Sequence, residues 1–244
     1  MKFNSIPKIT NKFFRNLRYT FYIKYFLLNK KKIFELKNLS PLNNPLTELM
    51  NKFYSDKGDS NNTHNYTKVY DSIFKSIKEK KLNIFEVGLG SIDENVVFHM
   101  KYSNSKYAPL ASLKAWREYF INSQIYGADI DYKIIQNLKN IKTFQVDMMD
   151  KISILNMWKK IKEKMDIIID DGFHSFEANT IFFENSFENL NLNGYYIIED
   201  IHRKPANIKK FYMYFKNRNI NFQIIDLPHQ KNINDNCLIL IKKD

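Results

Sequence analysis

Two short segments carry the side chains of this sequence that are best suited to chemistry. The segment Met165–His174 reads MDIIIDDGFH, in which an apolar run ends in two carboxylates, a glycine and a histidine. The segment Tyr195–Asp200 reads YYIIED and again ends an apolar run in two acids. If both runs are neighbouring strands, four carboxylates and one imidazole meet at the sheet edge where open α/β sheets bind ligands. Such like charge requires a cation, a proton or a hydrogen-bonding ligand.

A plain turn is the alternative interpretation of the Asp-Asp-Gly sequence at 170–172, since Asp-Gly is a favoured turn pair. We favour a functional site because the acids recur at 199–200 and because His174 completes the set. For His64 and His202 the sequence supports a structural and a functional role about equally.

Glycines and acids also close three other predicted strands. The run Asn83–Gly90 is a short apolar strand that leads into Gly-x-Gly, where backbone amides can approach a ligand. Predicted strands at 124–128 and 143–146 are followed by Asp129 and Asp147. An acid after the second strand is where a nucleoside ribose is held in such folds. These strand ends therefore predict a nucleoside-type ligand.

The elements that must position these residues alternate between strands and helices. Predicted helices cover 67–80, 111–120, a stretch around 154–158, 176–191 and 209–216, and the remaining predicted strands cover 167–169, 195–198, 222–225 and 238–241. We expect the turn into the 195–198 strand at Asn193-Gly194. This alternation predicts an α/β fold with a mostly parallel sheet and right-handed crossovers.

The net charge of +12 is concentrated near the N-terminus. Residues 1–50 hold ten Lys or Arg and two Glu and so carry +8, which leaves +4 for the rest of the chain. The rest is therefore close to balanced. The basic character belongs to an N-terminal extension, so nucleic acid is not the favoured partner of the domain that follows.

Residues 11–38 contain no Gly or Pro, and their aromatic and leucine residues recur at helical spacing. We expect this helix to pack on the domain or on a second subunit of a homodimer. The alternative is a helix that contacts the inner membrane surface through its basic flanks. Two prolines predict a linker over 39–46. We therefore divide the chain into a basic helical extension, 1–48, and a domain, 49–244.

The chain of 244 residues is long enough for one domain and an appendage. Its single cysteine, Cys237, excludes an intrachain disulfide and is typical of a reducing cytoplasm. No apolar run approaches the roughly 20 residues that span a bilayer, and basic residues interrupt the N-terminal region. We expect a cytoplasmic protein without a signal peptide.

The polar stretch 55–70 precedes the first predicted helix of the domain. A simple connecting loop is one interpretation. However, Asp56, Lys57, His64 and Tyr66 are an unusually functional set for a connection, because binding residues are often carried on loops.

The motifs taken together resemble a known family. Glu86-x-Gly88-x-Gly90, followed by Asp129, Asp147 and the strand of Asp170, resembles the class I S-adenosylmethionine-dependent methyltransferases over about residues 50–241. A more specific set is similar to the macrolide-sugar O-methyltransferases of the mycinamicin and macrocin type. That set consists of SDKG at 55–58, HxY at 64–66, Tyr70, ASLxxWR at 111–117, YGADID at 126–131, IDDGxH at 169–174 and IED at 198–200.

The resemblance implies a Rossmann-like fold with a seven-stranded sheet, helices on both faces, and two cofactors. It implies that S-adenosylmethionine contacts the motif residues Lys57, Tyr66, Glu86, Gly88, Gly90, Ser112, Asp129, Asp147 and Asp170. Within that set, Asp129 is expected at the ribose and Asp147 at the adenine. Asp171 and Asp200 are expected to bind Mg2+ or Mn2+, and His174 is expected to act as general base. The sequence departs from the longer glycine pattern at Ile92.

Three functions are open on these observations. The favoured one is O-methylation of a sugar hydroxyl, with a nucleotide-activated or glycan-bound sugar of a bacterial capsule or other surface polysaccharide as acceptor. An RNA methyltransferase is the alternative enzyme, supported by the basic N-terminus but opposed by a carboxylate-rich pocket. A catalytically silent binding protein is the third, and the clustered acids and histidine argue against it.

Overall fold

Seven strands form one sheet in the computed structural model, which describes residue 33 and residues 35–59, 64–101, 105–227, 229 and 231–244. They are β1 (Asn83–Val87), β2 (Gln124–Asp129), β3 (Ile141–Gln145), β4 (Met165–Asp170), β5 (Leu190–Ile198), β6 (Phe222–Asp226) and β7 (Cys237–Lys242). Their order across the sheet is β3-β2-β1-β4-β5-β7-β6, and β7 is the one strand antiparallel to its neighbours. The predicted mostly parallel seven-stranded sheet is confirmed.

Helices of the described residues cover both faces of this sheet, as predicted. They are α1 (Pro45–Lys52), α2 (Thr67–Phe74), α3 (Ala111–Tyr119), α4 (Lys151–Lys160), α5 (Phe176–Ser186) and α6 (Pro205–Asn217). One apolar cluster joins the sheet to α1, α2 and α3, and a second joins its other face to α4, α5 and α6. No helix of the described residues is long and apolar enough to cross a membrane.

The central strand β4 shows why its sequence is a continuous apolar run. Side chains alternate between the two faces of a strand. Ile167 and Ile169 accordingly lie in the cluster with α1–α3, whereas Ile168 lies in the cluster with α4–α6. All three are fully buried. Because helices cover both faces, this strand has no solvent-facing side, and polar residues are confined to its end.

Three predicted features differ most from the structure. The helix expected at 67–80 ends at Phe74 and continues as turns, and the helix expected at 176–191 ends at Ser186. The Asn193-Gly194 turn, expected before a strand, instead lies inside β5. There Met165 of β4 pairs with Leu190 and Ile167 pairs with Tyr195, so the extra residues of β5 form a bulge. Asn193 has φ +63°, a left-handed conformation that asparagine tolerates well.

The chain enters the domain through α1. The helix predicted over residues 11–38 lies largely outside the described residues, of which Leu36–Asn38 form a short 3-10 helix. Pro45, expected to break structure, instead occupies the first turn of α1, where its missing N–H costs nothing. Asn44 caps this helix by accepting a hydrogen bond from the Thr47 amide at 2.9 Å. Helix α1 includes residue 48, where the sequence analysis places the domain boundary.

The antiparallel end of the sheet is closed by β7, which lies between β5 and β6. Its first five residues are buried. Cys237 begins the strand opposite Asp226 of β6, and its side chain has no exposed surface. The strand therefore belongs to the core although it is the last one in the chain.

Candidate active site

A pocket opens where β1, β2, β4 and β5 reach their carboxyl ends, at the edge that the sequence predicts. Predicted residues that line it are Gly88, Gly90, Ser112, Asp129 and Asp147 on one side and Lys57, Asp171, His174 and Asp200 on the other. Three predicted residues, Tyr66, Glu86 and Asp170, do not belong to the pocket wall. Each of these three is buried and hydrogen-bonded to another polar residue.

The loop after β1 depends on glycine at two positions. Gly88 has φ +92° and Gly90 has φ +72°, both in the region that other residues avoid. A Cβ atom at Gly88 would overlap the backbone carbonyl of Asp171, and one at Gly90 would overlap the hydroxyl of Tyr107. Gly90 therefore makes room for Tyr107, and Gly88 lets this loop lie directly against the segment after β4. The two halves of the pocket meet at that contact.

Asp129, at the end of β2, fixes the same loop through backbone hydrogen bonds. One of its carboxylate oxygens accepts from the Leu89 amide at 2.6 Å, and the other accepts from the Asp131 amide at 2.9 Å. Burial raises the pKa of Asp129 above its usual value. Asp131, the last residue of the YGADID motif, to which the sequence assigns no role, accepts a hydrogen bond from the Ser91 hydroxyl at 2.5 Å. Asp129 thus lines the pocket and shapes the glycine loop.

Asp147 follows β3 and holds a tight turn at the pocket wall. Its carboxylate accepts a hydrogen bond from the Met149 amide at 2.8 Å, and its own amide donates to the Ser153 hydroxyl at 3.0 Å. Met148 and Met149 line the pocket beside it. Apolar side chains next to one acid provide a flat surface and a hydrogen-bond acceptor for a planar ring.

Asp171, His174 and Asp200 form a compact set on the other side of the pocket. One possible ligand atom from each lies within 4.8 Å of the others. His174 Nε2 is 3.7 Å from Asp200 Oδ2. His174 and Asp200 have φ +51° and +53°, conformations that cost energy for residues other than glycine and that cluster at functional sites. The buried Nδ1 of His174 has no hydrogen-bond partner among the described residues.

Lys57 extends from the short 3-10 helix Asp56–Gly58 into the acidic half of the site. Its Nζ lies 2.5 Å from Asp171 Oδ2, 2.6 Å from Glu199 Oε2 and 3.8 Å from Glu86 Oε1. Although burial opposes its charge, attraction by Asp171, Glu199 and Glu86 raises the pKa of Lys57 well above its usual value. Burial also raises the pKa of Glu86 and of Glu199. The Lys57 ammonium thus faces the carboxylates of Asp171, Glu199 and Glu86.

Glu86 and Ser112, which the motifs place together, are in direct contact. The Ser112 hydroxyl and the Trp116 indole N–H each donate to the Glu86 carboxylate at 2.5 Å. Glu86 has no exposed surface. It therefore anchors α3 and Lys57 to the end of β1, while Ser112 forms part of the pocket wall.

Residues 64–66, just before α2, bring a second set of polar groups to Asp200. The Tyr66 hydroxyl donates to Asp200 Oδ1 at 2.7 Å, and His64 Nδ1 lies 3.4 Å from the same oxygen. The His64 and Tyr66 rings stack with centroids 4.9 Å apart. Tyr66 therefore fixes the orientation of Asp200 without belonging to the pocket wall. His202 is exposed and lies 3.0 Å from the Asn234 carbonyl, outside the pocket wall.

Asp170 points away from the pocket. Its carboxylate accepts from the side-chain Nδ2 of Asn179 in α5 at 3.1 Å and from the Tyr196 hydroxyl at 3.4 Å. It is fully buried, and that burial raises its pKa to about 7. Because Asp170 shares a face with Ile168, it lies on the α4–α6 side of the sheet. Its contacts tie β4 to α5.

Two aromatic residues that the sequence analysis did not identify lie beside His174. The Phe98 ring is 5.2 Å from the His174 ring and 5.5 Å from the Phe173 ring, edge to face in both pairs. Phe98 is 57% exposed and Phe173 is 39% exposed, and both line the pocket. Phe98 also has φ +61°. The long loop after Gly90 gave no sequence signal that would place Phe98 next to the histidine.

The strand order and the glycine loop define the fold of the class I methyltransferases. The structure is similar to the MycE methyltransferase from the mycinamycin biosynthetic pathway in complex with Mg and SAH, with a TM-score of 0.60 and 22% identity over 82% of this chain and 55% of that chain. It is also similar to an O-methyltransferase from Bacillus cereus in complex with SAH, with a TM-score of 0.54 and 12% identity over 85% of this chain and 94% of that one.

The chain is also similar in sequence to curated sugar O-methyltransferases. The chain is 29% identical over 138 residues to the 8-demethyl-8-alpha-L-rhamnosyl tetracenomycin-C 2'-O-methyltransferase of Streptomyces olivaceus, covering 57% of this chain and 33% of that protein. It is 28% identical over 156 residues to the mycinamicin VI 2''-O-methyltransferase of Micromonospora griseorubida, covering 64% of this chain and 36% of that protein.

These matches confirm the resemblance to macrolide-sugar O-methyltransferases that the motifs indicate. The chain spans about a third of the length of the curated relatives it matches. No protein-family model matches the sequence.

Proposed function

We propose that this protein is an S-adenosylmethionine-dependent O-methyltransferase that acts on a sugar hydroxyl with the help of a divalent cation. The observation that carries the proposal is the position of His174 with Asp171 and Asp200, beside the glycine-loop pocket. A possible base and two possible metal ligands thus lie next to a site shaped for a nucleoside. The relatives named above methylate sugars, which supports this acceptor class.

The cofactor is proposed to lie along the ends of β1, β2 and β3. Gly88 and Gly90 let backbone amides approach its amino-acid end, Asp129 binds the ribose hydroxyls, and Asp147 faces the adenine. Met148 and Met149 provide the apolar surface for the adenine ring. When bound, S-adenosylmethionine supplies the methyl group that is transferred.

The acidic side of the pocket suits a divalent cation. Asp171 and Asp200 offer the hard carboxylate oxygens that Mg2+ and Mn2+ prefer, and they follow adjacent strands. The strained backbone at Asp200 and the orphaned Nδ1 of His174 both indicate a site organised for a ligand. A cation held there would lower the pKa of the acceptor hydroxyl.

His174 is proposed to take the proton from the acceptor hydroxyl. The oxygen then forms a bond to the methyl carbon while the carbon–sulfur bond breaks, and S-adenosylhomocysteine is released. A sugar hydroxyl is a very weak acid, so a positioned base accelerates the transfer. Tyr66 and His64 hold Asp200, and Lys57 holds Asp171, so that both carboxylates keep their orientation.

The acceptor is proposed to be a nucleotide-activated or glycan-bound sugar of a bacterial surface polysaccharide. Phe98 and Phe173 offer exposed aromatic surface beside His174, against which the C–H face of a sugar ring can pack. In the same proposal the enzyme is a cytoplasmic homodimer, and residues 11–38 mediate self-association or contact with the inner membrane surface.

Calorimetry with S-adenosylhomocysteine, with and without Mg2+, tests the cofactor placement. Thermal shifts with nucleotide sugars in the presence of both ligands then test the acceptor class, because a binder raises the melting temperature by mass action. We expect micromolar binding of the nucleoside and a further stabilisation by at least one sugar. An absence of S-adenosylhomocysteine binding would refute the proposed function.

A further inference from the structure

Lys57 is a buried cation surrounded by carboxylates from three different strands. Only 2% of its side chain is exposed, yet its Nζ lies within 4.0 Å of Glu86, Asp171 and Glu199. These acids lie at the ends of β1, β4 and β5. Lysine is almost never fully buried unless it is paired, so this arrangement requires an explanation.

The neutral hydrogen bonds around these acids do not remove their charge. Glu86 accepts from Ser112 and Trp116, and Glu199 accepts from the Tyr70 hydroxyl. Each of these donors is uncharged. Among the described residues, Lys57 is the one Lys or Arg within 4.0 Å of these three carboxylates. Removing one partner from a buried ionic group leaves an uncompensated charge, which is strongly destabilising.

Asp171 belongs to two sets at once. Its Oδ2 is bound by Lys57, and it also offers a ligand atom to the set that contains His174 and Asp200. An ammonium and a divalent cation that share one carboxylate repel each other. The positive charge of Lys57 therefore stabilises the acids before a cation arrives and weakens the hold on that cation afterwards.

We propose that Lys57 is the resident counter-ion of this site: its charge keeps the three strand ends assembled without a divalent cation and lowers the affinity for that cation. The first part, that Lys57 keeps the strand ends assembled, concerns the folded protein without any cation. The second part rests on the proposed function, because it requires the metal site at Asp171 and Asp200. Lys57 is a positioning residue in this proposal and does not touch the acceptor.

The test compares Lys57→Met with the wild type by differential scanning calorimetry in a chelator and in Mn2+. Loss of the buried charge should lower the melting temperature in chelator by on the order of 10 °C. Mn2+ should restore more of the melting temperature in the variant than it adds to the wild type. Lys52→Met is the matched control, since Lys52 pairs with Glu118 at 2.6 Å on the surface, and it should change little.

Titration calorimetry of Mn2+ with S-adenosylhomocysteine present measures the second part. We expect Lys57→Met to bind Mn2+ roughly ten-fold more tightly, because a neighbouring positive charge has been removed. A purely structural role would leave this affinity unchanged or weaken it, and either result overturns the proposal. Loss of S-adenosylhomocysteine affinity without a change in Mn2+ affinity would instead assign Lys57 to cofactor binding.

A charge-balanced variant keeps the test decisive if Lys57→Met does not fold. Lys57→Met combined with Glu199→Gln removes one charge of each sign and should recover most of the lost melting temperature. It should also bind Mn2+ more tightly than Glu199→Gln alone, and equal or weaker binding refutes the second part. If the wild type binds no Mn2+ but the melting temperatures in chelator fall in Lys57→Met and recover in the double variant, the metal function and the second part fail, whereas the counter-ion role of Lys57 stands.

Discussion

The two halves of the pocket are built from the same kind of strand end but by different physical means. On the β1–β2 side, Asp129 binds backbone amides of the glycine loop, and the shape of the wall depends on Gly88 and Gly90. On the β4–β5 side, carboxylates face an ammonium and imidazoles, and the residues with left-handed backbone are His174 and Asp200.

The β1–β2 side, the glycine half, is therefore organised by backbone geometry. The β4–β5 side, the acidic half, is organised by charge. The glycine half has its hydrogen bonds satisfied internally, and its unusual backbone conformations cost glycine little. The acidic half combines repulsion between carboxylates with strained residues that are not glycine. Changes of bound cation should therefore act strongly on the second half and weakly on the first.

Removal of divalent cations should have the largest effect and should act on the acidic half alone. We expect a chelator to abolish methyl transfer and Mg2+ or Mn2+ to restore it, because the acceptor hydroxyl is a weak acid. The affinity for S-adenosylhomocysteine should change much less. Turnover assays and titration calorimetry measure the two quantities. Full activity in the chelator would contradict the metal role of Asp171 and Asp200.

His174→Ala should lower the rate of methyl transfer by roughly 10²–10⁴ and leave cofactor affinity unchanged. The reason is that the variant removes the proton acceptor but none of the groups on the glycine half. His202→Ala is the matched control, since His202 lies outside the pocket wall. Single-turnover kinetics measures the rate. A near-normal rate in His174→Ala would exclude this histidine as the base.

Asp129→Ala tests the glycine half of the pocket. We expect it to weaken binding of S-adenosylhomocysteine by roughly 1–3 kcal/mol, because hydrogen bonds to buried groups are lost. Affinity for Mn2+ should stay near that of the wild type. Asp93→Ala is the control, because Asp93 lies in the same loop region but pairs with the surface residue Lys133. If Asp129→Ala left the dissociation constant unchanged, the cofactor would have to lie elsewhere.

Phe98→Ala should have the smallest effect of the four variants and treatments. Its effect should be on binding of the acceptor. Loss of its ring should raise KM for the acceptor by about ten-fold or less, with kcat and both cofactor affinities preserved. Phe98→Tyr should retain most of the affinity. Leu192→Ala removes another exposed apolar side chain, from the bulged segment of β5, and should change nothing. An equal fall in kcat would indicate that Phe98 positions His174 and does not bind the acceptor.

The sequence predicts the location of the site because parallel strands end at a common edge. The apolar runs before Asp171 and Asp200 are enough to bring both acids and His174 together. The strands and most helices are also correct to within a few residues. The helix ends at Phe74 and Ser186 differ because helical periodicity does not show where packing stops supporting the helix.

The face of the sheet on which each acid lies was harder to predict. Asp170 and Asp171 are adjacent, yet one packs under α5 and the other lines the pocket. The alternation of β4 contains this distinction, since Asp170 shares its face with Ile168. The ion pairs of Lys57 could not be predicted in the same way. They join residues 114 and 142 positions apart, and no local pattern in the sequence specifies that pairing.

Cys237 gives the protein an intrinsic reporter of local opening in its core. The sequence has a single thiol, and it is buried at the start of a strand that pairs on both sides. A thiol reagent can reach it only when the core around β7 opens locally, so the labelling rate under native conditions measures that opening equilibrium. Fluorophores placed on engineered surface cysteines near the pocket would meanwhile suffer little background labelling.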